Sequence, residues 1–140
     1  MKKWLYPFFA FAFGGMIAFA AHAEDGSGAC VDPVSAAYSY LYWVDLPGPF
    51  SKCDQECKAA SSACKLIVTE QADCLNDEAN AWQKIQNLYC TGTYTNGDRK
   101  DCKSDVKSAV KSWKDWIKQE RSDGKGVCND FQSECDSFCS

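Results

Sequence analysis

Two triplets of cysteines mirror each other along the chain. Cys53, Cys57 and Cys64 are separated by steps of four and seven, and Cys128, Cys135 and Cys139 by steps of seven and four. At about 100° per residue each triplet falls within roughly 40° of arc, so each forms a single row along one helix face. Because the spacings are mirrored, the rows come into register only when the two helices run antiparallel. The expected rungs are Cys53–Cys139, Cys57–Cys135 and Cys64–Cys128. Each needs Cα atoms roughly 4.4–6.8 Å apart, closer than most helix axes allow unless small residues line the contact. Ala60 and Ser61 meet that need between the rungs. Four cysteines remain of ten. Spacing alone does not fix their connectivity; the expected pairs are Cys90–Cys102, across a loop, and Cys30–Cys74, tying down the N-terminus.

The N-terminus gives the reason to expect oxidised cysteines. Met1-Lys2-Lys3 is followed by an apolar run from Trp4 to Ala21 and then by Ala21-His22-Ala23 before Glu24-Asp25. Basic start, apolar stretch and small-x-small site describe an export signal, so residues 1–23 are expected to be cleaved and 24–140 to form a single domain. A retained anchor is the alternative, since about 18 apolar residues reach the lower limit for a bilayer span. Cleavage leaves a secreted or periplasmic protein with no stable membrane anchor, in a compartment where disulfides persist. The 15 Lys and Arg lose Lys2 and Lys3 with the signal and stand against 19 Asp and Glu, a formal charge of −6. This acidity argues against nucleic acid as a partner.

Helical periodicity runs through the rest. Asp32-Pro33 opens a first helix with Val34, Ala37, Tyr38 and Leu41 on one face, and Pro47-Gly48-Pro49 is expected to stop it. From Ser51 to Thr91 there is no Gly or Pro, and a stripe at 53, 57, 60, 64, 67, 71, 74, 78, 82, 85 and 89 repeats every three or four residues. Polar residues gather near Thr69–Asp77, so two collinear helices are expected there, with a loop over Thr91–Asp98. Cys102, Val106, Ala109, Val110, Trp113, Trp116 and Ile117 mark a further helix ended by Gly124 and Gly126, and Val127 to Cys139 a last one. The expected fold is all-α, a disulfide-stapled bundle of four to five helices.

Much chemistry is excluded. His22 is the only histidine and lies in the signal, which removes Ser-His and Cys-His machinery and histidine metal ligands. CxxC pairs are absent too, so no metal and no cofactor are expected. Asp73, Asp77 and Glu78 share a neighbourhood that a carboxylate-only enzyme could use, but nothing distinguishes them from a solvated acidic helix surface, which is the far commoner case.

Paired CxxxC motifs resemble those of small mitochondrial import chaperones, where the two motifs lie close together on one hairpin; here they stand at opposite ends. The stretch from Cys30 through Cys53 to Cys57 resembles insect odorant-binding proteins, and the later cysteines depart from that pattern. Neither resemblance extends over the chain.

Two surfaces are candidates for binding. Lys100, Lys103, Lys107, Lys111, Lys114, Lys118 and Arg121 fall within about 80° on a helical wheel, centred on Lys107, Lys111, Lys114 and Lys118. Like charges four residues apart repel, so the row needs acidic compensation, either within the protein or from a partner. Tyr40, Trp43 and Phe50, in an aromatic cluster with Tyr38 and Tyr42, are candidate contacts. The function expected is a non-enzymatic binding protein for another protein or acidic surface. The alternative is a carrier of a lipid or small hydrophobic molecule.

Overall fold

The computed structural model describes residues 29–45 and 52–139. The signal, Pro47-Gly48-Pro49 and Phe50 lie outside the described residues. The chain divides into two compact units, Met1–Val31 and Asp32–Ser140. Of the first, residues 29–31 are described, with Cys30 buried.

Among the described residues the second unit holds three helices: α1 (Pro33–Tyr42), α2 (Cys53–Thr93) and α3 (Asn96–Cys139). All-α is therefore correct, and four to five helices is not. α2 and α3 have 41 and 44 residues, each more than about 60 Å long. They form an antiparallel hairpin, and α1 packs against both.

Each missing break has a local cause. The polar stretch around Thr69–Asp77 does not divide α2, because Ala72, Leu75 and Ala79 stay buried through it while Glu70, Asp73 and Asp77 face outward. Gly124 and Gly126 do not end α3. A Cβ at Gly124 would stand 3.0 Å from the Pro33 carbonyl oxygen and 3.0 Å from Val68 Cγ1, so at Gly124 both α1 and α2 press against α3. Gly126 has open space around its Cβ position. The loop expected over Thr91–Asp98 shrinks to Tyr94 and Thr95. Asn96 turns the chain with φ 49°, a left-handed conformation that Asn tolerates. Arg99 closes the turn, donating from Nε to the Tyr94 carbonyl (2.9 Å) and from Nη2 to that of Thr91 (3.0 Å). Those carbonyls would otherwise lack partners at the end of α2.

The rungs form as their spacing requires. Cys53–Cys139, Cys57–Cys135 and Cys64–Cys128 have Cα separations of 5.6, 5.7 and 5.8 Å, and Cys90–Cys102 of 5.7 Å. Cys30 and Cys74 are disulfide-bonded as well, so all ten cysteines are engaged. Ser61 sits buried between the inner rungs and donates its hydroxyl to the Cys128 carbonyl at 3.1 Å, which both satisfies it and allows the helices to approach. Between the rungs and the turn, Val68, Leu75 and Ile117 are fully buried, and Trp82 meets Trp113 edge to face at 6.3 Å.

α1 is held at its start. Asp32 caps it, its Oδ1 accepting from the Ser35 N–H at 2.8 Å. Glu120 of α3 approaches the same end; desolvation, chiefly, and the adjacent Asp32 raise its pKa above the ordinary carboxylate value, against a stabilising backbone N–H from Val34. A carboxyl with a raised folded-state pKa contributes stability when protonated and loses it as pH rises through that pKa. Glu120→Gln removes the charge and keeps an acceptor for Val34. It should raise the melting temperature at pH 7 by roughly 1–2 °C, with the gain disappearing as the pH falls below the unfolded value of 4.5. Thermal melts of both proteins across pH 3.5–7.5 check this; a lower melting temperature at pH 7 would show that the charged carboxylate is the better cap.

Candidate docking face

The lysine row lies on the outside of α3. Lys100, Lys103, Lys107, Lys111 and Lys118 are exposed, while Lys114 and Arg121 are half-buried. From Lys100 to Lys118 the row extends about 27 Å. One end of it is fixed to α2, where Arg121 Nη2 pairs with Asp73 Oδ1.

On a helical wheel the α2 residues that share the face of Asp73, stepping by three or four toward Thr91, include Asn76, Asp77, Asn80, Lys84, Asn87 and Thr91. That face is amide-rich, and its carboxylates, Asp73 and Asp77, stand at the Arg121 end. Within the row itself, Lys111 Nζ meets Asp115 Oδ2 at 2.9 Å, and both side chains are mostly exposed. That hydrogen bond and the charge of Asp115 raise the Lys111 pKa. A solvent-exposed i,i+4 pair contributes little to stability. Among the described residues, Arg121 and Lys111 are the members of the row with a carboxylate at ion-pair distance. Lys107, Lys114 and Lys118, the rest of the expected centre, have no such partner there.

The aromatic candidates separate. Tyr40 is half-buried and packs on the cluster of Ala37, Cys64, Val68 and Cys128, whereas Trp43 is 81% exposed. Tyr38, placed by the sequence pattern on the apolar face, is exposed instead, as is Tyr42, which meets Trp43 edge to face at 5.2 Å. Near the turn, Ile85, Leu88 and Tyr89 are also exposed, an apolar surface that the sequence pattern had assigned in part to the core. Of the carboxylates considered for catalysis, Asp73 is engaged by Arg121, Asp77 is exposed and Glu78 half-buried.

No protein-family model, no curated protein and no solved structure matches this chain.

Proposed function

We propose that this is an exported, non-enzymatic binding protein that docks an acidic protein surface along the α3 lysine row. The observation that carries this reading is the row's partial internal compensation: over about 27 Å, Lys111 and Arg121 have a carboxylate at ion-pair distance, whereas Lys107, Lys114 and Lys118 have none among the described residues. Repulsion between lysines one turn apart costs roughly 0.2–0.5 kcal/mol per pair in isolation, and an acidic partner relieves it. Cross-linked helices hold the backbone that carries the lysines in a fixed line, so the ordering lost on docking is that of the side chains. The disulfides fit an oxidising location, secreted or periplasmic, and follow from the export signal.

The test uses poly-L-glutamate as a defined acidic surface. The mature protein, although net acidic, is expected to bind immobilised poly-L-glutamate at low salt and to elute as ionic strength rises. Lys107, Lys111, Lys114 and Lys118 replaced together by Gln should weaken retention about tenfold or more and leave the melting temperature within a few degrees. Equal retention of both proteins would remove the row as a docking face; a collapse in stability would assign it a structural role.

A further inference from the structure

Past Ala79 the outward face of α2 turns apolar. Ile85 is 62% exposed and Leu88 73%, Tyr89 is exposed beside them, and from Ala79 to Gly97 the chain carries one charged side chain, Lys84. Ala81 and Gly92 extend this stripe at either end; both are exposed, and the Cβ position of Gly92 has nothing within 4 Å. On a helical wheel Ala81, Ile85, Leu88 and Gly92 fall within about 60°, roughly 145° from the buried row that runs through Val68 and Ala79. The stripe therefore faces away from the core of its own hairpin.

Its steps are four, three and four, the same read in either direction. A row of that kind matches a second copy of itself running antiparallel, about a twofold axis between Gln86 and Asn87. We propose that two copies of this chain pair in this way, with Ile85 of each against Leu88 of the other. Ala81 then stands opposite Gly92 of the second copy, so large apolar side chains meet at the centre and small residues at both ends let the helices approach. Charge fits the same register: the exposed Asp77 comes level with Asn96 of the second copy, where α3 begins and the positive end of its dipole lies.

The size of the contact sets its strength. α2 ends at Thr93, so the two copies of α2 overlap over about 20 Å. Such an overlap lies at the small end of specific interfaces, below about 1,200 Å² in total, where association is weak and reversible. The expected dissociation constant is about 10–100 μM. An anionic membrane fits the stripe less well, since Lys84 is its one cation. The stripe shares no residue with the α3 lysine row, so the pairing stands apart from the acidic-surface reading.

Sedimentation equilibrium of the oxidised mature protein, from about 1 μM to 1 mM, reads the association. Ile85→Glu and Leu88→Lys, each alone, should weaken it about 30-fold or more and, being surface changes, leave the melting temperature within about 2 °C. Mixing the two variants should restore pairing to within about tenfold of the parent, because the antiparallel register sets the new Glu against the new Lys and leaves Leu88 against Ile85. Gly92→Leu, which fills open space in the single chain, should weaken pairing about tenfold or more. Replacing Lys107, Lys111, Lys114 and Lys118 by Gln should leave it unchanged. A chain that stays monomeric to 1 mM overturns the proposal, including one that binds phosphatidylglycerol vesicles instead. So does a dimer that Ile85→Glu leaves intact, or a mixture of the two charged variants that fails to pair.

Discussion

Gly124→Leu is expected to destabilise the protein by about 3 kcal/mol, lowering the melting temperature by roughly 12–24 °C. The position has no room, because the Pro33 carbonyl oxygen and Val68 Cγ1 each stand 3.0 Å from where a Cβ would sit. The carbonyl belongs to the backbone of α1 and cannot turn aside as a flexible side chain would, so α1 itself has to move. Leucine's higher helix propensity offsets less than about 1 kcal/mol of this. Val68→Ala in the same chain should recover part of the loss by opening space on one side. Gly126→Ala, two residues away with open space at its Cβ position, should instead stabilise by about 0.5–1 kcal/mol. The opposite signs distinguish a continuous α3 from a helix that ends at these glycines. Thermal melts of the variants decide it: a tolerated leucine at 124 together with a harmful alanine at 126 would place the helix end where the glycine pattern first suggests.

Removing all three rungs should leave the chain unfolded at 25 °C. Closing the first of them restricts a segment of at least 64 residues, which a loop-entropy estimate values at about 4 kcal/mol. With one rung in place, each further one closes only the short ladder interval beside it and contributes about 2.5–3 kcal/mol. The three together approach 10 kcal/mol, as large as the whole stability of an ordinary domain. By the same reasoning, replacing only Cys64 and Cys128 by Ala should cost about 3 kcal/mol, since Cys57–Cys135 still holds the helices seven residues away. Chemical denaturation of the single-rung and triple-rung variants checks both figures. A triple-rung variant that kept a cooperative transition within 2 kcal/mol of the parent would show that packing, rather than the ladder, holds the hairpin.

The ladder was legible because its evidence is phase alone. Steps of four and seven return to one face of a helix whatever lies between, and mirroring supplies the antiparallel direction. The other side chains of α2 were harder to place. Reading the apolar stripe as 60, 67, 71, 74, 78, 85 and 89 puts Gln71 and Glu78 on the core face, whereas the buried row is Ser61, Val68, Ala72, Leu75, Ala79 and Cys90. The slip is one residue, a rotation of about 100°, and it turns the exposed Ile85 and Tyr89 inward. Continuing strictly from the cysteine row through small residues would have avoided it, because a narrow, disulfide-drawn interface buries Ala and Ser in place of larger apolar groups. The number of helices was hidden for a related reason. Glycine inside a helix costs about 1 kcal/mol, and sequence alone gives no sign that Gly124 recovers this by letting Pro33 and Val68 approach. The lysine row was visible from its spacing. Its anchor was not, since Asp73 lies 48 residues from Arg121 in the chain and becomes its neighbour only once the hairpin register is set.

That register is the central claim, and disulfide mapping under non-reducing conditions tests it most directly. Cleavage at Lys separates Cys57 from Cys64, cleavage at Glu56 separates Cys53 from Cys57, and cleavage at Glu134 and Asp136 separates Cys128, Cys135 and Cys139 from one another. Mass spectrometry of the acid-quenched digest should find Cys53 joined to Cys139, Cys57 to Cys135 and Cys64 to Cys128. Any of the first triplet joined to Cys74, Cys90 or Cys102, or the two triplets joined in the parallel order with Cys53 on Cys128, would contradict the antiparallel ladder and the fold built on it.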